Sequence, residues 1–151
     1  MTTPGPFERG TDGPRVILVG VDGSPTSLRA AAYAAGLARR QRSRLVAVFV
    51  AEHAPPIAGW VASAEVVARE VADQVDAELR RELAPASERL DLAVEYHRTH
   101  GDPVAEIARL ADELPADAVL VGASEQAGHR VVGSVAVRLV RLGRWPVTVV
   151  P

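Results

Sequence analysis

The chain alternates between short, almost wholly apolar runs and longer stretches in which apolar residues recur every three or four positions. "RVILVGV" (Arg15–Val21), "RLVAVFV" (Arg44–Val50) and "DAVLVGA" (Asp117–Ala123) are of the first kind. They are rich in β-branched residues and bounded by turn formers, which predicts strands buried on both faces. "LAVEYHR" (Leu92–Arg98) mixes apolar with polar positions and predicts a strand nearer a sheet edge. "WPVTVVP" (Trp145–Pro151) predicts a last strand, with Pro146 suited to its start.

The helical periods lie between these runs. "LRAAAYAAGLARRQ" (Leu28–Gln41) has an apolar side made mostly of Ala and Gly, which allows close approach to a sheet. Ser24 or Thr26 can cap it, with Pro25 in its first turn. A long helix is expected from Ala62 to Leu83, its inward stripe formed by Ala64, Ala68, Val71, Val75 and Leu79. "GDPVAEIARLADEL" carries the marks of a helix start: Asp102 as cap, Pro103 at the first position, Ile107 and Leu114 facing inward. "SVAVRLVRLG" (Ser134–Gly143) predicts the last helix, ending at its glycine.

Strands that alternate with helices imply a parallel sheet with helices on both faces, because right-handed crossovers place them there. The length of 151 residues suits one domain, 15–151, after a polar tail rich in Gly and Pro, 1–14. The tail lacks the apolar segment of a signal peptide, and no apolar run is long enough to span a bilayer. The expected setting is cytoplasmic, away from membranes. The net charge of −2 gives no general attraction to nucleic acid. Cysteine is absent, which excludes disulfides, thiol catalysis and thiolate metal sites. All 17 basic residues are arginine, so every lysine-dependent chemistry is excluded as well.

In open parallel sheets, ligands bind beyond the C-terminal ends of the strands, where strand order reverses. Two loops have the right composition: "VGVDGSPTS" after the first strand and "VGASEQAGHRVVGS" after the fourth. Both carry glycines and hydroxyls just before a helix, a setting in which backbone N–H groups can approach an anion. Tight turns and helix caps have the same composition. Asp22 follows an apolar strand directly, where a carboxylate can accept from a sugar hydroxyl, help hold a metal, or merely cap.

Three segments carry a resemblance to a known family: "ILVGVDGSPTSLRAAAYA", "LVAVFVAEH" and "ADAVLVGASEQAGHRVVGSVAVRLVRLGRWPVTVVP". The chain resembles the universal stress protein (UspA-like) domain from Arg15 to Pro151. The resemblance implies an α/β fold: an open parallel five-stranded sheet in the order 3-2-1-4-5 with helices on both faces, as in the adenine nucleotide alpha-hydrolase-like proteins. It implies a homodimer paired through the last strand, Pro146–Val150, and a stress-response regulatory role exercised through protein partners. One branch of the family binds ATP, with Mg²⁺, through the pattern Gly, two residues, Gly, nine residues, Gly-Ser or Gly-Thr. Gly122 matches the first glycine, and Gly133 with Ser134 the closing pair. Asp22 matches the acid at the ribose end and a possible metal contact, Gly23 and Ser24 follow it in the same loop, and Val50 matches the adenine-lining position.

The pattern is altered where it should cradle phosphate. Glu125 stands in place of the second glycine, and the spacing to Gly133 is two residues short. A carboxylate beside a triphosphate costs on the order of 1–4 kcal/mol unless a cation offsets it. Gly128 can partly replace the missing glycine, and His129 and Arg130 can supply offsetting charge. Alternatively Glu125 points to solvent, over an empty or smaller site. Three readings remain open at this point: a module that binds ATP, AMP or another adenine nucleotide, a weak ATPase, and an interaction protein without a ligand. A receiver-like signalling domain needs a late lysine and drops out. His97 and His100 fall on opposite faces of a strand and do not make a metal pair. His53 is expected as a solvated loop residue, Trp60 and Trp145 as packing anchors, and the charges from Glu65 to Glu88 as a solvated helix face.

Overall fold

The computed structural model describes residues 13–53, 61–126 and 129–151. The elements in chain order are β1 (Val16–Val21), α1 (Pro25–Gln41), β2 (Arg44–Ala51), α2 (Val61–Leu90), β3 (Val94–His100), α3 (Pro103–Glu113), β4 (Ala118–Gly122), β5 (Ser124–Gln126), β6 (His129–Val131), α4 (Ser134–Leu142) and β7 (Val147–Val150). Five strands form one sheet in the order β3-β2-β1-β4-β7. All four of its pairings are parallel. Counting the strands of that sheet alone, this is the expected 3-2-1-4-5. β5 and β6 make a separate antiparallel hairpin.

Both faces of the sheet are covered. On one face Ile17, Val19, Leu45 and Ala47 pack against the alanines of α1 and against Leu79 and Leu83 of α2. On the other, Leu18, Val46, Val48 and Val119 meet Ile107 and Leu110 of α3 and Leu139 of α4. Successive strand residues thus enter different cores, which is why these strands read as continuous apolar runs. Ala30, Ala34 and Ala38 are fully buried, so the small-residue side of α1 does what its composition suggested.

The ends of the elements follow their caps. Ser24, not Thr26, caps α1: its side chain accepts from the Ser27 N–H, with Pro25 opening the helix. Asp102 accepts from the Ala105 N–H at 2.9 Å and caps α3. Gly143 ends α4 in the left-handed region at φ 63. The last strand's Trp145 packs against the second core, as an anchor should.

Two boundaries differ from expectation. The long helix does not stop at Leu83 but runs through Pro85 to Leu90. A proline inside a helix removes one backbone bond and costs roughly 3 kcal/mol. Burial of Leu83 and Leu92, with Leu90 packed beside them, offsets that cost. The exit is pinned by Leu92 N–H to the Ser87 carbonyl at 3.1 Å and the Ser87 hydroxyl to the Leu92 carbonyl at 2.8 Å. Leu92 is therefore a core plug after the helix, and β3 starts two residues later than predicted. The tail, Trp60 and Gly128 lie outside the described residues, apart from Gly13 and Pro14 at the tail's end; the Pro14 carbonyl accepts from the Ser43 hydroxyl.

One charged group of α2 is not solvated. Asp76 is only 9% exposed. Its carboxylate accepts from the Tyr96 hydroxyl at 2.6 Å and from Arg80 Nε at 3.0 Å, and Arg98 lies 3.5 Å away. Arg98 also bonds Asp73 at 2.6 Å. Burial alone would push the Asp76 carboxyl up; the Tyr96 hydroxyl and the two guanidiniums outweigh it and hold it below the ordinary value of 3.8. This network ties α2 to the edge strand β3.

Removing Asp76 takes away the Tyr96 hydroxyl's acceptor and leaves Arg98 with Asp73, so Asp76→Ala is expected to cost about 1–3 kcal/mol in urea unfolding. The pH dependence has a definite sign. The folded-state pKa is depressed, so the stabilisation is full above the unfolded value of 3.8 and is lost as pH falls toward the folded one. Below about pH 4 the parent protein loses stability more steeply than Asp76→Asn, a difference that acid unfolding curves measure directly.

Candidate functional site

The strand order reverses between β1 and β4, and a cleft of about 490 Å³ opens beyond their C-terminal ends. It has two unlike ends. Val50 and Ala51 of β2, with Ala68, Val71, Ala72 and Val75 of α2, make an aliphatic end. Ser24, Thr26 and Ser27 of the first turn of α1, Ser124 of β5 and Ser134 of α4 make a hydroxyl-lined end.

The residues expected from sequence fall mostly here. Asp22, Ser24, Val50, Gly122, Gly133 and Ser134 all line the cleft. Gly23 is not among the lining residues; it sits at φ 83 with the Val75 side chain against it, and it serves the turn. Arg130 belongs to β6, paired in register with Glu125.

Local chemistry explains the loop after β1. Asp22 Oδ1 accepts from the Ser24 N–H at 2.9 Å, while the Asp22 N–H donates to Ser27 Oγ at 3.2 Å. Asp22 is nonetheless exposed, which leaves carboxylate lone pairs for a ligand. At the other wall, Gly133 is the N-cap of α4 and so supplies no side-chain cap. Ser134 is the first helical residue rather than the cap. Gly133, Ser134, Val135 and Ala136 all line the cleft, so the start of α4 faces it.

Gly122 is fixed by packing. A β-carbon there would lie 2.6 Å from Ser27 N and 2.6 Å from Thr26 C, inside the backbone of the first turn of α1. Gly133 is crowded as well: a β-carbon would meet that of Ser124 at 3.0 Å. The two matched glycines let β4, α1, β5 and α4 converge on one point.

The segment after β4, read from sequence as an open loop, is in part a hairpin. Ser124 pairs with Val131, Glu125 with Arg130 and Gln126 with His129. Strand alternation sends neighbouring side chains to opposite sides. Ser124 is on the cleft side. Glu125 is not among the cleft-lining residues; it is 48% exposed and pairs with Arg29 at 3.3 Å. Arg29 Nε also donates to the Pro151 carbonyl at 3.0 Å. The carboxylate that seemed to oppose a phosphate is thus turned outward and carries its own counter-charge.

Two carboxylates, Asp22 and Glu52, line the cleft, and Glu52 also borders an adjoining cavity with Arg69 and Arg98. Sequence reasoning missed Glu52, Ser124, Thr26, Ser27 and the valines of α2. Ser124 was legible only if the hairpin's alternation had been seen. Val71 was expected in the core, yet it is 55% exposed and forms part of the aliphatic wall. The histidines separate as expected: His97 bonds Glu95 at 2.6 Å, and His100 stacks on His53 with ring centroids 6.4 Å apart. No group of three metal-ligating side chains occurs among the described residues.

The Universal stress protein family profile matches residues 14–151. The chain belongs to the universal stress protein family. It is 25% identical over 136 residues to the universal stress protein MJ0531 of Methanocaldococcus jannaschii, covering 89% of this chain and 80% of that one. A solved universal stress protein family structure from Burkholderia pseudomallei superposes with a TM-score of 0.72 at 27% identity, covering 91% of this chain and 96% of the other. A universal stress protein solved in complex with cAMP superposes with a TM-score of 0.69 at 25% identity, covering 93% and 99%. No helix among the described residues is long and apolar enough to cross a membrane.

The packing at Gly122 gives a prediction. Gly122→Ala drives a methyl group into backbone with no flexible side chain to yield, so it is expected to destabilise by about 1–3 kcal/mol. Thermal unfolding measures the loss. Glu125→Ala breaks only an exposed pair and should change stability by less than about 1 kcal/mol.

Proposed function

We propose that this universal stress protein is a regulatory module that senses an adenine nucleotide in the cleft between β1 and β4. The observation that carries the reading is the division of the cleft into an aliphatic end and a hydroxyl-lined end at the switch point of the sheet. A nucleotide has the same division. The base packs against Val50 and the α2 wall, Asp22 accepts from ribose hydroxyls, and Ser24, Ser134 and the start of α4 receive phosphate. Gly122 and Gly133 keep side chains out of the way. Asp22 is also the carboxylate that would share a Mg²⁺ with bound phosphate oxygens. The cAMP complex of a universal stress protein 25% identical to this chain supports the ligand class.

The output is proposed to be protein contact rather than turnover, from a homodimer formed through β7. That strand pairs with β4 alone in the sheet, and Val140 and Leu142 of α4, the helix that precedes it in the chain, are 56% and 41% exposed. An unpartnered sheet edge is a surface for pairing with a second copy. Sedimentation should give twice the chain mass. The rival is an interaction protein without a ligand, and Val66 and Val67, each 57% exposed on α2 near the cleft, favour it.

Thermal unfolding with and without adenine nucleotides separates the two. A ligand that binds only the folded state at a hundredfold excess over its Kd adds about 2.7 kcal/mol. The expected result is a saturable rise in Tm that Asp22→Ala and Val50→Asp both reduce. A cooperative melt unmoved by any adenine compound leaves the ligand-free reading. Phosphate release from Mg-ATP in the same samples tests the weak ATPase.

A further inference from the structure

We infer that the end of the sheet opposite the cleft, together with the exposed face of α1, binds a single-stranded nucleic acid. The inference does not depend on the adenine-nucleotide reading. It starts from "RRQRSR", Arg39 to Arg44, in which four of six residues are arginine. α1 begins at the cleft, and its 17 residues carry the chain about 25 Å back to the N-terminal ends of the strands. There the fold gathers the arginines. At φ 56 the Arg42 N–H turns back onto the Ala38 and Arg39 carbonyls, and the Ser43 N–H donates to the Ala38 carbonyl at 2.8 Å. The Arg44 N–H donates to the Arg15 carbonyl at 2.8 Å, which joins Arg15 and Arg44 across the starts of β1 and β2. Arg15, Arg39, Arg40 and Arg42 are exposed. The C-terminal dipole of α1 accounts for Arg39 and Arg40, but not for Arg15 and Arg44 at the strands. Two carboxylates of the same end are engaged. Glu95 is shared by Arg44 at 3.2 Å and His97 at 2.6 Å, and Asp117 Oδ2 accepts from the Arg15 and Val16 N–H groups. The chain's net charge of −2 thus conceals a local basic cluster.

A tyrosine on the same helix decides the kind of polyanion. Tyr33 is 49% exposed and stands seven residues before Arg40, on the same face of α1. Arg40 lies back along that face: its Nη1 is 3.5 Å from where a β-carbon on Gly36 would sit, between the two. An exposed ring, a flat step at Gly36 and a guanidinium therefore form a strip that leads into the arginine cluster. Guanidiniums bond phosphate oxygens in pairs, and an exposed ring offers a stacking surface to any base. An acidic polypeptide would use the arginines and have no need of the tyrosine.

The test is fluorescence anisotropy of the full chain with a labelled oligouridylate of about twelve nucleotides, whose base avoids an adenine site. Saturable binding is expected, weakening with salt at a log–log slope of about −3 for about four phosphate contacts. Arg39→Glu with Arg40→Glu should weaken it about tenfold or more. Tyr33→Ala should weaken it roughly fivefold or more. Arg81→Glu makes the same charge change as Arg40→Glu at another exposed position, on α2, and should weaken it less. Thermal melts of the variants should stay cooperative. No saturable binding at low salt overturns the inference, as does binding that Arg81→Glu weakens as much as Arg40→Glu. If an oligoglutamate peptide displaces the oligouridylate at equal charge and Tyr33→Ala changes nothing, the partner is an acidic polypeptide and the nucleic-acid assignment is wrong. A duplex that binds more tightly than the single strand overturns it as well.

Discussion

A parallel strand can satisfy its backbone only between two neighbours, and a wholly apolar one can be buried only between two layers. β1 is the strand on which this constraint falls hardest. Ile17, Leu18 and Val19 are all 0% exposed. They point alternately into the α1–α2 core and the α3–α4 core, while β2 and β4 close the two edges. Chain direction away from β1 must then differ on its two sides: toward β2 and β3 on one, toward β4 and β7 on the other. The loops that leave β1 and β4 consequently diverge to opposite faces, and the space between them is the cleft. The site is a consequence of how the sheet is covered, not an addition to it.

That same constraint made the sheet readable. A run such as "VILVGV" has no polar face to give to water, so it predicts a strand with helices on both sides, and the order of elements followed. The misreadings occur where local and tertiary preferences compete. Pro85 interrupts the helical pattern, yet the leucines packed around it hold the helix together for about two turns beyond Leu83. Asp76 looks like one charge among many on a solvated face. Its burial depends on Tyr96 and Arg98, residues of a strand about twenty positions further on, and no period along α2 can announce them.

The site was legible by family pattern and loop composition, less so by geometry. Asp22, Val50, Gly122 and Gly133 were each singled out, and the cleft brings them together. What the pattern could not convey is why its glycines are there. Gly122 is needed by packing alone, since the first turn of α1 fills the space a side chain would take. A match to a phosphate-binding pattern at that residue is therefore weaker evidence for phosphate than it looks. Gly133 has a packing reason too, the nearby Ser124, and as the cap of α4 it leaves the helix start open to the cleft.

Glu125 shows how a departure from a binding pattern can become structural. In an open loop its carboxylate would oppose any phosphate held there. In a hairpin of period two, the residue beside Ser124 must face away from it, and Arg29 is placed to receive the charge. The same guanidinium bonds the carbonyl of Pro151, just beyond β7. One arginine thus joins the altered loop, the first helix and the end of the edge strand. The pair is too exposed to add much stability. Its effect is directional: it holds the Glu125 carboxylate on the side of the hairpin away from Ser124 and the cleft. The second glycine's replacement therefore does not itself close the site.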